Sequence, residues 1–364
     1  MTLGQMLRLS AAKNPDKPAV VCGEQILSYC ELDEATDALA AWLLQQGLQP
    51  GDRVAIHWTN SVETVNLYFA CFKSGLIAVP VNNRLKVPEI AYVLGHSKAK
   101  LCFSQPELAP LSEEVRSECP HLVAIHTRLP LLECPRDRAL PEVTADQVAA
   151  VLYTSGTTAR PKGVMHTHVS LTGATELMAS LGIGETDVPL VVTQMVHIAA
   201  LGCVLLPGIR CGCTVVLLPA FDAAEAVDLI ERWRCTFLLI LPAMLRFMVE
   251  EQASRLRDVS SMRLCMAGGD AVPVTLQERF QEYFGFRVRE IFGMTETVPV
   301  TCIREGEIRA GSMGRPLDLI DTRVVDLSGN VVRSTSRWRV KVQLRARGID
   351  PIRAFDYDGT PLPN

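Results

Sequence analysis

The first chemistry to be read lies in a stretch of short polar side chains near the middle of the chain. Thr154, Ser155, Gly156, Thr157 and Thr158 stand together, and Ala159, Arg160 and Pro161 separate them from Lys162 and Gly163. An apolar run at residues 148–153 precedes them and suits a buried strand. A strand that breaks into small residues with a lysine close behind is what a phosphate group asks for. Small residues let backbone N–H groups approach phosphate oxygens, hydroxyls donate further hydrogen bonds, and the ammonium adds a point charge. The Walker pattern, Gly-x-x-x-x-Gly-Lys-Ser/Thr, cannot be fitted here. A plain surface turn is the alternative, and five small polar residues followed by Pro-Lys-Gly argue against it.

The 153–163 segment, Tyr-Thr-Ser-Gly-Thr-Thr-Ala-Arg-Pro-Lys-Gly, resembles the phosphate-loop signature of the AMP-forming adenylating superfamily. That group contains acyl- and aryl-CoA synthetases, luciferases and the adenylation domains of peptide synthetases. Residues 67–82 resemble the family's second block, and we assign them no chemistry beyond a core helix packed behind a sheet. Gln194-Met195-Val196-His197 resembles the block Pro-x-Phe-His, with Gln194 in place of the proline and Val196 in place of the aromatic. Gly268-Gly269-Asp270-Ala271-Val272-Pro273 resembles the Gly-Gly-Ala-Pro-Leu block. Residues 291–297, Ile-Phe-Gly-Met-Thr-Glu-Thr, resemble the Tyr-Gly-x-Thr-Glu block, and residues 311–316 the Gly-Ser-x-Gly-Arg-Pro turn into a small β-barrel.

Outside the resemblance these residues say little. A histidine on an apolar segment is more often a core residue, a glutamate in a loop is usually solvated, and a glycine turn is commonplace. Asp270 could serve only as a helix N-cap. The resemblance implies definite roles. Thr154, Ser155, Gly156, Thr157, Thr158 and Lys162 would cradle the β- and γ-phosphates of ATP. The backbone of Gly268, Gly269 and Asp270 would face adenine, with Phe292 stacked on it and Gly293 beside it; Phe292 lacks the phenol of the usual tyrosine. Thr295 would reach the α-phosphate and Glu296 would bind magnesium, a hard cation that wants carboxylate oxygen. His197 would line the pocket for the carboxylate substrate. Lys162, His197, Thr295 and Glu296 are then the catalytic set, and ATP, Mg2+ and coenzyme A the cofactors.

Composition narrows the class. With 364 residues the chain exceeds what one core usually organises. It is 48% hydrophobic, with a mean hydropathy of +0.18, and can bury a large interior. The 36 basic and 40 acidic residues leave a net charge of −4, so no global field recruits nucleic acid or an anionic membrane. Twelve cysteines are scattered with no Cys-x-x-Cys pair, and the first residues lack a signal-peptide pattern. Reduced thiols and a cytoplasmic location are the expectation. Cys211 and Cys213 have no downstream His/Cys pair, which disfavours zinc. Residues 189–207 approach membrane-spanning length, but Thr193, Gln194 and His197 interrupt them and no basic cluster flanks them. A buried strand-turn-helix is expected there, and no membrane span.

Stepping outward, helices are expected at residues 3–13, 29–47, 63–74, 87–96, 169–181, 223–232, 243–252 and 274–284. Strands are expected at 19–22, 25–28, 53–57, 76–81, 100–104, 148–153, 190–193 and 264–267, with β-capable runs at 201–206, 214–218 and 236–241. Residues 107–143 look irregular. The alternation of strands and helices predicts α/β architecture. In family terms this means two flavodoxin-like parallel-sheet subdomains, residues 1–175 ending in the phosphate loop and 176–311, then a partial β-barrel with a divergent tail over 312–364. From Arg333 the resemblance fails in a strongly basic stretch. A garbled reading frame is preferred there over a nucleic-acid patch, because residues 354–364 again look family-like. The ribose-binding aspartate, the hinge and the mobile C-terminal domain of the family are not found in these residues. The expected function is ATP-dependent activation of a small carboxylic acid as acyl-adenylate, then thioesterification to coenzyme A, with slow turnover by this chain alone. The alternative is a catalytically dead remnant that binds ligand. A homodimer is left open.

Overall fold

The computed structural model describes residues 1–130, 139–154, 160–304, 306–307, 312–318, 320–325 and 339–344. The chain begins with α1 (Leu3–Lys13), the hairpin β1 (Pro18–Cys22) and β2 (Gln25–Ser28), and α2 (Tyr29–Gln45). β3 (Arg53–His57), α3 (Val62–Ser74), β4 (Ile77–Pro80), α4 (Val87–Ser97) and β5 (Leu101–Ser104) follow in alternation. Next come α5 (Ala109–Glu114), β6 (Ala124–His126), β7 (Val148–Thr154), β8 (Lys162–Thr167), α6 (His168–Ser180) and β9 (Pro189–Val191). A helical stretch from α7 (Ile198–Ala200) through one π-turn (Leu201–Leu205) to α8 (Leu206–Cys211) leads to β10 (Val215–Leu217) and α9 (Ala223–Trp233). The rest is β11 (Phe237–Ile240), α10 (Pro242–Ser254), β12 (Leu264–Ala267), α11 (Val274–Phe284), β13 (Arg289–Met294), β14 (Thr297–Cys302), β15 (Arg315–Pro316), β16 (Ile320–Val325) and β17 (Arg339–Leu344).

Local signals start these helices where the sequence places them. Thr2 with Gln5, and Ser28 with Glu31, form reciprocal capping boxes, and Asp222 caps α9 through the Glu225 N–H. Gly75 ends α3 at φ 71°, a conformation in which a Cβ is strained.

Two sheets result. One has six strands in the order β6-β5-β3-β4-β7-β8, parallel except for the antiparallel β7–β8 pair. The other runs β15-β14-β13-β12-β11-β9-β10-β1-β2, with a parallel centre. α1, α2, α3 and the 198–211 helical stretch pack into one core that draws on both sheets. α3 is buried around nearly its whole circumference for this reason. α9–α11 cover the outer face of the nine-stranded sheet and α4 that of the six-stranded sheet. The molecule is thus a mixed α/β structure with two parallel-sheet subdomains, and β16–β17 pair as a two-stranded antiparallel ribbon.

Three expectations are corrected. Residues 201–206 are helical rather than β-capable, because a segment buried on every side shows no periodicity to separate helix from strand. The hairpin β1–β2, expected inside the first subdomain, pairs with β10 and extends the second sheet. Sheet membership follows pairing across nearly 200 residues, not order along the chain. Residues 162–167, to which no element is assigned from sequence, form β8 antiparallel to β7. Within 107–143 the helix α5 and the edge strand β6 are ordered elements.

Candidate active site

The parallel strands of the nine-stranded sheet end on a common side, and open α/β sheets hold ligands at such ends. A cavity of about 200 Å³ opens there. Thr193 beyond β9, Leu239–Leu241 at the end of β11, Gly268 and Gly269 after β12, and Phe292, Gly293, Met294 and Thr295 at the end of β13 line it. His197, Ile198 and Cys203 close it from the helical stretch, and Val298 and Pro299 from β14. Six predicted site residues, His197, Gly268, Gly269, Phe292, Gly293 and Thr295, therefore share one cavity though nearly 100 positions separate the first from the last.

The glycines are required by space. A Cβ on Gly268 would overlap the Ile291 carbonyl oxygen, so only hydrogen lets β12 run this close to β13. Gly269 turns at φ 86° beneath the Leu241 side chain. The turn is then clamped from β13. Buried Glu290 accepts from the Val272 N–H at 3.3 Å and from Gln277 Nε2 at 2.9 Å. Asp270 is exposed and its carboxylate accepts from the Ala271 N–H at 2.8 Å. It does not line the cavity, and it does not cap α11, whose N-cap is Pro273.

His197 opens at the cavity mouth. Reduced hydration, and then the charge of Arg84, hold its pKa below the ordinary imidazole value, so the ring stays neutral near pH 7. The segment leading to it is gripped from the other sheet. Buried Asn60 donates to the Thr193 carbonyl at 2.9 Å and the Leu218 carbonyl at 3.1 Å, and accepts from the Met195 N–H at 2.8 Å. The Tyr68 hydroxyl donates to the Met195 carbonyl at 2.7 Å, and Gln194 Nε2 donates to Asn83 Oδ1 at 2.6 Å. Sequence reasoning missed Asn60, Tyr68, Asn83 and Arg84. Tyr68 lies in the 67–82 block, to which no chemistry is assigned, and Asn60, Asn83 and Arg84 stand among other polar residues with no distinguishing signal. Cys203 faces the cavity as a small apolar group, since burial pushes its thiol up to about 12.

The phosphate side is built by β7 and β8. Thr154 and Lys162 are register partners where the two strands of this hairpin are joined; Ser155, Gly156, Thr157 and Thr158 lie outside the described residues. Lys162 makes no ion pair among the described residues. Four residues on, the buried His166 ring meets the backbone of Thr295, so the hairpin and the 292–296 turn adjoin. Glu296 is half-buried and has no hydrogen-bond or ion-pair partner among the described residues. No cluster of three acidic, His or Cys side chains exists among them. One free carboxylate fits a magnesium ion that arrives on a triphosphate, since Mg2+ takes one or two carboxylates and fills its remaining positions with phosphate oxygens and water.

A parallel-sheet cleft carrying a hydroxyl-and-lysine hairpin beside a Thr-Glu turn defines a nucleotide-binding α/β enzyme fold. The chain belongs to the AMP-binding enzyme family, whose profile matches residues 7–337. It is 32% identical over 375 residues to the fatty acid–[acyl-carrier-protein] ligase of Streptomyces coeruleorubidus, covering 99% of this chain and 71% of that protein. It is 34% identical over 344 residues to the feruloyl-CoA synthase of an Amycolatopsis species, covering 91% of this chain and 68% of that protein. The fold is shared with an anthranilate CoA ligase in complex with anthranoyl-AMP, at a TM-score of 0.90 and 24% identity over 95% of this chain and 70% of that one. The inhibitor-bound N-terminal domain of FACL13 from Mycobacterium tuberculosis superimposes at a TM-score of 0.86 and 29% identity, over 91% of this chain and 86% of that domain. Among the described residues no helix is long and apolar enough to cross a membrane, and the eleven described cysteines are all free.

Proposed function

We propose that this chain binds MgATP and a compact carboxylic acid and joins them as an acyl-adenylate, which then passes its acyl group to a thiol, that of coenzyme A. The observation that carries the reading is the single cavity shared by His197, Gly268, Gly269, Phe292 and Thr295, with the β7–β8 hairpin against its Thr295 side. In the reaction a carboxylate oxygen attacks the α-phosphorus, the bond to the β-phosphate oxygen breaks, and pyrophosphate leaves. The thiol sulfur then attacks the acyl carbon, AMP leaves, and the thiol proton passes to solvent.

Little covalent chemistry falls to the protein. Positioning and charge neutralisation supply the rate. Adenine lies between the Gly268–Gly269 backbone and Phe292, Thr295 orients the α-phosphate, and Thr154 and Lys162 face the terminal phosphates. Glu296 would hold a magnesium ion, whose charge would neutralise the phosphate oxygens. Neutral His197 offers the acid a hydrogen bond without a buried charge, and the Arg84 cation beside it favours approach of an anion. Behind His197 the wall is apolar: Ile198, Ala199, Cys203 and Val298. Such an apolar wall suits an aryl or short acyl group.

Pyrophosphate release with a panel of aryl and short acyl acids, run beside calorimetric titration with MgATP, tests the reading. Acid-dependent release supports it. Binding without release with any acid makes the chain a ligand-binding remnant, and failure to bind MgATP refutes the site.

A further inference from the structure

Three aromatic side chains outside the cavity converge on the two legs of the β7–β8 hairpin. Tyr92 and His96 lie four residues apart on α4 and stack, with ring centroids 5.1 Å apart and planes at 19°. Tyr153 stands edge-on to both, at 6.4 Å and 5.8 Å. Its hydroxyl is 2.8 Å from His96 Nδ1, which ties the incoming leg to α4 one residue before Thr154. The Tyr92 hydroxyl donates to the Pro161 carbonyl at 3.0 Å, which ties the outgoing leg one residue before Lys162. The Arg160 guanidinium lies 5.7 Å from the centre of the Tyr92 ring, a cation–π distance. Across the ladder Tyr153 pairs with Gly163. A Cβ there would come within 2.9 Å of Val151 Cγ1 and 3.3 Å of Tyr153 Cζ, so the glycine makes room for the ring.

All three rings are half-buried, and these polar contacts end on residues adjacent to Thr154 or Lys162. The rest of α4 packs on the sheet through Ile90, Val93 and Leu94, whereas Tyr92 and His96 also set polar atoms against the legs of the hairpin. We propose that Tyr92 and His96 are positioning residues that hold Thr154 and Lys162 at the spacing the triphosphate needs; the inference rests on the reading of this hairpin as the phosphate site. Preorganised donors lose less freedom on binding, so removing one tie weakens the ligand that uses both legs and spares one that uses neither. AMP, which has no β- or γ-phosphate, is the second kind of ligand.

The test is calorimetric titration of the 364-residue chain with MgATP and, separately, with AMP, for wild type, Tyr92→Phe, Tyr153→Phe and the double variant. Each substitution keeps its ring and deletes one hydroxyl. Each single variant is expected to weaken MgATP by about 3- to 10-fold, the size of one hydrogen bond, and to leave AMP within about twofold, the ordinary context scatter of such effects. The double variant should lose less than the product of the singles if both ties serve one geometry. Equal losses for MgATP and AMP would show a general packing role and overturn the proposal, as would unchanged MgATP affinity in every variant. Wild-type protein that binds AMP but not MgATP overturns the hairpin's phosphate role together with this inference.

Discussion

Three histidines are buried as neutral rings, and acid should unfold the protein through them. His57, His166 and His168 are 0%, 4% and 0% exposed, and burial moves each pKa from the ordinary 6.5 to about 4. The Nε2 atom of each is buried without a partner. His168 Nδ1 accepts from the Leu3 N–H at 3.2 Å, and protonation would set two donors face to face. The unfolded chain binds protons at these sites once the pH falls below about 6.5, whereas the folded chain resists until about 4. Stability is therefore unaffected above pH 7 and falls steadily as the pH drops from about 6.5 toward 4. At pH 5 each ring lies about 1.5 pH units below its unfolded titration, which costs about 2 kcal/mol per site and about 6 kcal/mol for three. That rivals the whole stability of a typical domain, roughly 5–15 kcal/mol. Urea unfolding between pH 7.5 and 5 measures it, since the slope of stability against pH counts the protons taken up on unfolding. About three are expected near pH 5, and about two after His57→Gln. His166 lies under Thr295, so MgATP affinity should fail in the same pH window. A slope below one proton, or a denaturation midpoint constant from pH 7 to 5, would refute the reasoning.

Glu296→Gln should leave the melting temperature unchanged, because the carboxylate has no partner among the described residues. It should raise the magnesium concentration for half-maximal pyrophosphate release by about tenfold or more, the loss of one charge-assisted contact; an unchanged magnesium dependence removes Glu296 from the metal site. Gly163→Ala inserts a methyl group against Val151 and Tyr153 and should cost about 1–3 kcal/mol while weakening MgATP more than AMP, read by thermal shift with each nucleotide. Lys73 is fully buried, 2.5 Å from Asp33 and 2.9 Å from Asp37. Lys73→Leu should destabilise toward the low end of about 3–5 kcal/mol, since both aspartates keep contact with water; chemical denaturation with no change would show that the pair contributes nothing net.

Much of this molecule could be read from its residues in order. The places of His197, Gly268, Gly269, Phe292 and Thr295 were expected from the family resemblance of their motifs. The α/β alternation and the capped starts of α1, α2 and α9 follow from local signals: capping residues and apolar periodicity. These depend on interactions a few residues long, which is the range over which a linear pattern carries information. Tertiary structure alone decided the rest. Residues 201–206, β-capable when taken alone, are helical within the strand-turn-helix expected over 189–207, and the hairpin at 18–28 joins the second sheet because β10 lies beside it. Asn60, Tyr68, Tyr92 and His96 became part of the site's framework only when chain segments from 57 to 158 residues away came within hydrogen-bonding distance. No spacing in the sequence encodes such contacts, because the partner that gives each side chain its role is supplied by packing.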